Sequence, residues 1–178
     1  MEVFWARGYD GAQITDLTTA IGVTPPSFYA AFGSKEAAFR EAVDLYIATV
    51  GAEPIRALET ATTARDGLRA MLEGSVDVAL SSRPGGCLLI LGAVSGLPGN
   101  EKPRAHLLDA RRGTVALIRA RIQRGVDSGD LPPGTDSDAL AAFFHGVMQA
   151  ISFQARDGAP RETLRGLIPP ALAALGPA

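Results

Sequence analysis

The feature that most constrains this chain is the spacing of helix stops and starts in its first 36 residues. Gly8 ends an amphipathic segment in the way glycine ends helices, by accepting a positive φ. Ile14, Leu17 and Ile21 then recur at i, i+3 and i+7, a short apolar stripe of helical period. Gly22 and Val23 break that stripe. Thr24 is a good N-cap for a new helix, and Pro25 sits at its first position, where a missing N–H costs nothing. Phe28 and Phe32 lie one turn apart on one face. Gly33 stops this helix and Ser34 caps the next, with Glu36 in its first turn. Two short helices near 14–21 and 25–32, joined by a tight turn, have the helix-turn-helix layout. Ile14, Leu17, Ile21, Val23, Phe28 and Phe32 are its expected anchors.

The rest of the chain reads as helical too. Ala38, Phe39, Ala42, Val43, Tyr46, Ile47 and Val50 give the fourth helix a wide apolar face that ends near Gly51. Further helices are expected over about 54–61, 64–82, 86–96, 103–128, 136–156 and 160–175, separated by Gly- and Pro-rich breaks such as Arg83-Pro84-Gly85-Gly86 and Leu131-Pro132-Pro133-Gly134. Thr135 or Asp136 should cap the helix after the second break, and Pro169-Pro170 should kink or break the last one. Leu88-Leu89-Ile90-Leu91 could be a buried strand, but nothing nearby would pair with it. The fold class is therefore all-α: an N-terminal helix-turn-helix three-helix domain over 1–45 and a larger helical domain over 46–178.

Composition agrees. Hydrophobic residues at 47% and charged residues at 20% suffice for a real core. The single cysteine, Cys87, allows no internal disulfide and fits a reducing cytoplasm. No apolar run approaches a membrane span and no signal peptide is visible. Met1–Arg7 reads as the last turns of a helix without a capping residue, so a further stretch upstream is expected. No phosphate loop, metal-binding pair at helical spacing or nucleophile–base motif is present, so neither an enzyme nor a cofactor is expected.

One set of residues narrows the reading. Gly8-Tyr9, Asp16-Leu17, Gly22-Val23-Thr24, Ser27-Phe28-Tyr29, Phe32-Gly33-Ser34-Lys35-Glu36 and Phe39 stand in an order and spacing that resemble the DNA-binding signature of the TetR/AcrR family of transcriptional regulators. The resemblance covers about 35 residues; beyond them the chain resembles the family only in being helical and of suitable length. It implies a homodimer on a palindromic double-stranded operator, controlled by a small-molecule effector. It also implies roles for individual residues. Thr24, Ser27 and Tyr29 would touch phosphates through their hydroxyls, with Thr15 also on the DNA side. Lys35 would add a charged phosphate contact beside the amides of its helix N-terminus. Pro25, Pro26 and Ala30 occupy base-reading positions, and contact at the two prolines would be apolar. Tyr9 is expected to pack rather than to touch DNA.

Two departures stand out. The family usually places Thr, then Ser or Thr, before the second helix; here stand Ala12 and Gln13, so the cap is lost at Ala12 and Gln13 must replace a hydroxyl contact to phosphate. In addition, residues 1–45 hold three basic groups (Arg7, Lys35, Arg40) against six acidic ones (Glu2, Asp10, Asp16, Glu36, Glu41, Asp44), a net of −3, where a DNA-binding domain should be basic.

In the larger domain, the resemblance implies dimerisation through the last two long helices, here expected within 136–175. Met71, Val78, Cys87, Leu91, His106, Phe144, His145, Met148 and Phe153 are candidates for lining an effector pocket, since such pockets are mostly apolar with a few polar groups. The Gly-Gly-Cys-Leu setting could lower the Cys87 pKa and make it a redox or metal sensor. Arg111, Arg112, Arg119, Arg121 and Arg124 read as a solvated helix face. A helical adaptor that does not bind DNA is the alternative of a different class.

Overall fold

The computed structural model describes residues 1–81, 85–92 and 98–176, and those residues contain helices and no strands. In chain order the helices are α1 Glu2–Gly11, α2 Ile14–Ile21, α3 Pro25–Phe32, α4 Lys35–Ala48, α5 Ala52–Thr60, α6 Ala64–Leu80, α7 Leu88–Leu91, α8 Glu101–Asp127, α9 Ser137–Arg156, α10 Arg161–Arg165 and α11 Ile168–Ala173.

The caps explain the first four. The α1 path kinks at Gly8, whose φ of 67° lies where a side chain would be strained. Gly22 and Gly33 close α2 and α3, also with positive φ. The Thr24 hydroxyl accepts from the Ser27 amide at the start of α3, and the Ser34 hydroxyl accepts from the Ala37 amide at the start of α4. The Ala12 departure resolves simply. Ala12 is a fully buried core residue, and the N-cap of α2 is Gln13, whose backbone amide donates to the Asp16 carboxylate at 2.9 Å. Asp16 is held in place by Arg7 at 2.6 Å. The missing hydroxyl cap is thus offset by a carboxylate reaching back from the third helical position.

Phe4, Trp5, Leu17, Phe28, Phe39, Val43 and Tyr46 form the core of the small domain, with Val78, Leu88 and Leu107 of the larger domain packed into the same cluster. The expected boundary at 45/46 falls within α4, whose helix continues to Ala48. The second core gathers α5, α6, α8, α9 and the C-terminal helices around Leu68, Met71, Leu72, Ile118, Phe144 and Ile151. α5 and α6 approach closely because Gly67 has no side chain: a Cβ there would stand 2.7 Å from the Leu58 carbonyl oxygen.

Four expectations change. Ile21 and Val23, expected to anchor the helix-turn-helix, are exposed. The helix expected over 86–96 is a single turn, Leu88–Leu91; it is neither a long helix nor a strand, and residues 93–97 lie outside the described residues. Gly85 and Gly86, with φ of 95° and 83°, carry the chain past the end of α9, and a Cβ on Gly86 would lie 2.9 Å from the Ser152 carbonyl oxygen. The helix expected over 160–175 is two short ones. The break falls at Gly166-Leu167, ahead of the prolines, and Pro169 and Pro170 sit in the first turn of α11, where their missing N–H groups cost little. Their apolar residues Leu164, Ile168, Leu172 and Leu175 are buried in the core. Finally, the arginine face of α8 is not wholly solvated. Arg121 is 6% exposed and donates to the Ala61 and Thr62 carbonyls, while Arg111 donates to the Leu89 carbonyl at 3.0 Å.

Candidate nucleic-acid interface and effector cavity

α2 and α3 pack through Leu17 and Phe28 and turn one polar and small-residue surface outward. Gln13, Thr15, Thr24, Pro25, Pro26, Ser27, Tyr29 and Ala30 are all exposed, and Lys35 is half-buried. The structure therefore brings every residue expected on the DNA side to the surface of one small domain. The Thr24 and Ser27 hydroxyls lie 3.0 Å apart, which fixes both at the tip of α3. Tyr29 meets the buried Phe28 ring edge-on at 5.6 Å and leaves its phenol outside.

Lys35 stands at the start of α4, where the helix dipole disfavours a cation. Its ammonium lies 4.5 Å from the centroid of the Tyr9 ring, and burial pulls its pKa down from the ordinary lysine value. Tyr9 is itself packed between Phe4 and Phe39, as expected of a packing residue. The aromatic face thus holds this cation against a helix N-terminus, where the dipole opposes it.

The acidic balance of this domain also finds an explanation. Asp10 accepts from Asn100, Glu36 faces Lys102 at 3.9 Å, and Asp44 pairs with His106 at 2.8 Å. Those three carboxylates are turned to the N-terminal end of α8, and Asp16 is engaged by Arg7. The negative charge lies largely at the junction between domains. This accounts for His106 as well: it belongs to that junction rather than to a pocket.

The second site is a cavity of about 500 Å³ in the larger domain. α4 supplies Tyr46 and Ile47, α5 supplies Pro54, Ile55, Arg56 and Glu59, and α6 supplies Ser75 and Val78. Cys87, Leu89 and Ile90 close one side, Ala110, Thr114 and Leu117 of α8 another, and Met148 and Ser152 of α9 a third. Of the residues expected to line a pocket, Cys87, Val78 and Met148 do so. Met71 and Phe144 are fully buried in the second core instead. Leu91 packs against Gly86, and Phe153 is 56% exposed on the outside of α9. His145 is half-buried outside this lining, where burial and then the Arg111 charge push its pKa down.

Cys87 differs from the sequence reading in its chemistry. Burial pushes its thiol pKa up, outweighing the opposing hydrogen bonds from Tyr46 and from the Ile90 and Leu89 amides. The thiol accepts a hydrogen bond from the Tyr46 hydroxyl at 3.1 Å, and the phenol is likewise pushed above its ordinary pKa by burial. Cys87 is therefore a protonated, hydrogen-bonded wall residue, and the described residues contain no cluster of His, Cys, Asp or Glu able to hold a metal ion.

Sequence reasoning missed the residues that join cavity to reading head. Tyr46 meets the Trp5 ring edge-on at 5.0 Å, and the Trp5 indole donates to the Gly86 carbonyl at 2.8 Å. Arg156, at the end of α9, donates to the carbonyls of Gly85, Ala6 and Trp5 at 2.8, 3.2 and 3.1 Å. Tyr46 reads in sequence as one member of an apolar face, and Arg156 as a cation in a last helical turn; neither pattern signals partners 41 positions away for Tyr46 or 150 and 151 positions away for Arg156.

A helix-turn-helix with an exposed reading helix, joined through shared packing to a helical domain that encloses an apolar cavity, defines a DNA-binding regulator with a sensor domain. Comparison with known proteins identifies which kind. Residues 1–42 match the bacterial regulatory proteins of the tetR family, and residues 64–165 match the tetracyclin repressor-like C-terminal domain. The chain belongs to the TetR family of bacterial transcriptional regulators. It is 29% identical over 171 residues to the HTH-type transcriptional repressor ComR of Escherichia coli K12, covering 92% of this chain and 79% of that protein. Among solved structures, a cysteine mutant of the TetR family regulator CifR, complexed with 26-base-pair operator DNA, superposes with a TM-score of 0.92 at 42% identity, over 97% of this chain and 91% of that one. A TetR regulator from Rhodococcus sp. RHA1 is 34% identical with a TM-score of 0.68, over 100% of this chain and 96% of that one. No described helix is long and apolar enough to cross a membrane.

Proposed function

We propose that this chain is a cytoplasmic, non-enzymatic repressor that binds a palindromic operator as a homodimer and leaves it when a small, largely apolar effector fills the cavity. The observation that carries the reading is α4. One helix bears Lys35 at its first turn, beside the DNA face, and Tyr46 at its last, in the cavity wall. The two lie about 16 Å apart along a single rigid element. An effector that displaces Tyr46 moves the helix that positions the reading head, and such a displacement changes the spacing of two recognition helices in a dimer. Phe143 and Phe153, 44% and 56% exposed on the outer face of α9, support a dimer surface within the first half of the region 136–175.

Thr24, Ser27, Tyr29 and Lys35 act on phosphates in this reading, Gln13 and Thr15 flank them, and Pro25, Pro26 and Ala30 face the bases. Titrating the full chain against its own promoter region at two salt concentrations tests it. Binding should weaken steeply with salt, because each phosphate contact releases counterions. A Tyr29→Ala, Lys35→Ala double variant should lose it while keeping its helical content. Absence of specific binding, both to the promoter and to a random duplex pool, would sink the reading.

A further inference from the structure

Recognition helix α3 has an unusual composition for an element that reads DNA: Pro25, Pro26, Ser27, Phe28, Tyr29, Ala30, Ala31, Phe32. It holds no Arg, Lys, Asn, Gln, Asp or Glu. The paired hydrogen bonds that single out guanine (from Arg or Lys) or adenine (from Asn or Gln) therefore cannot be made from this helix.

Its backbone is equally silent. Pro25 and Pro26 have no N–H groups. The Ser27 amide is turned to the Thr24 hydroxyl, and the Phe28 amide donates to the Thr24 carbonyl at 2.9 Å. The backbone of the first turn of α3 thus offers no free N–H to a phosphate or a base edge. It offers two exposed pyrrolidine rings and, one turn on from Pro26, the exposed Ala30 methyl. The Thr24 and Ser27 hydroxyls beside them already face each other.

We infer that α3 reads its operator through thymine methyl groups, with Pro25, Pro26 and Ala30 as the specificity-determining residues; this rests on the DNA-binding role proposed above. In the major groove only thymine carries a C5 methyl. An apolar tip gains by burying that methyl. It loses against guanine O6 and N7 or the cytosine amino group, which it strips of water and cannot pair. The half-sites under α3 are therefore A·T steps whose thymines face the helix.

The test begins with the full chain selecting its operator from a random duplex pool. Each thymine of the half-sites is then replaced by deoxyuridine, which removes the methyl and leaves the Watson–Crick pair intact. Affinity should fall about fourfold for each methyl removed from beneath the helix, and about fifteenfold when both symmetric positions are changed, from the free energy of burying one methyl group. In Pro25→Ala and Pro26→Ala variants, which keep the helix because alanine favours it, the thymine-to-uracil affinity ratio should move toward one. Equal binding of thymine and uracil duplexes at every position would overturn the inference, as would a selected half-site that places guanine under the tip of α3. A pool that yields no specific duplex would instead overturn the DNA-binding reading, and this inference with it.

Discussion

Arg121 is where charge and burial meet most directly. Its guanidinium donates to the carbonyls of Ala61 and Thr62, just past the end of α5, so a cation sits where the α5 dipole is negative. Arginine suits the position because a single terminal nitrogen of its guanidinium, Nη2, reaches both carbonyls. Arg121→Met should keep the volume and lose the donors, leaving both carbonyls unpaired in a tight α5–α8 contact. We expect a loss of about 2 kcal/mol, the cost of a buried group left without its partner, read as a lower urea midpoint with an unchanged slope. An Arg121→Met chain as stable as the parent would mean that water satisfies those carbonyls. In sequence this residue is one of six arginines on α8 and looks like its neighbours. What distinguishes it is the carbonyl pair it meets 59 and 60 positions away, which no local pattern encodes.

At the scale of elements, local signals serve well wherever an element is bounded by its own neighbours. Thr24-Pro25, Gly33-Ser34 and Asp136 start helices as their capping chemistry requires; Asp136 accepts from the Asp138 and Ala139 amides. The signals fail where a bound is set by another element. Apolar Leu88–Leu91 has the content of a longer helix, but the chain before it must pass α9 at a distance only glycine permits. At Gly86 an added Cβ would fall 2.1 Å from Leu91 Cδ1 and 2.9 Å from the Ser152 carbonyl oxygen, on a backbone with φ of 83°. Leu91 can move; the carbonyl cannot. Gly86→Ala should therefore cost about 2–4 kcal/mol, combining left-handed backbone strain with overpacking. The same residue accepts the Trp5 indole hydrogen bond, and Trp5 is the only tryptophan of the chain. The substitution should shift Trp5 emission to the red as the indole loses its partner and meets water. Unchanged emission together with unchanged melting would show that the crossing is looser than its geometry implies. The cavity is legible only in part for a related reason. Cys87, Val78 and Met148 follow from residue type, whereas Ser75, Thr114 and Ser152 join the lining because five helices and the 87–90 segment converge there.

Across the whole molecule, the reading head and the sensor domain are not two bodies on a hinge. Val78, Leu88 and Leu107 share a core with Phe4, Phe39 and Tyr46, and Asp10, Glu36 and Asp44 face α8. At the centre of this junction Arg156 holds three segments: the end of α9, the glycine crossing at Gly85, and the last carbonyls of α1 before its kink. Burial lowers the Arg156 pKa, but a guanidinium remains charged throughout the physiological range. Three charge-assisted donors on backbone carbonyls therefore tie the helix with the exposed Phe143 and Phe153 face to the helix that supports α2 and α3. If that tie sets the orientation of the reading heads, Arg156→Ala should leave α9 and the second core intact and loosen α1. Hydrogen exchange should speed up at α1 amides and stay unchanged at α6 amides around Met71 and Leu72, which lie in the other core. Operator affinity should fall about tenfold, the range of coupling that single residues carry between sites, without any change in oligomeric state. Arg156→Lys, which can reach one or two of the three carbonyls, should fall between. Faster exchange throughout the chain would make Arg156 an ordinary stabilising residue. Faster exchange in α1 with unaltered operator affinity would mean that α4, through Lys35 and Tyr46, orients the reading head alone.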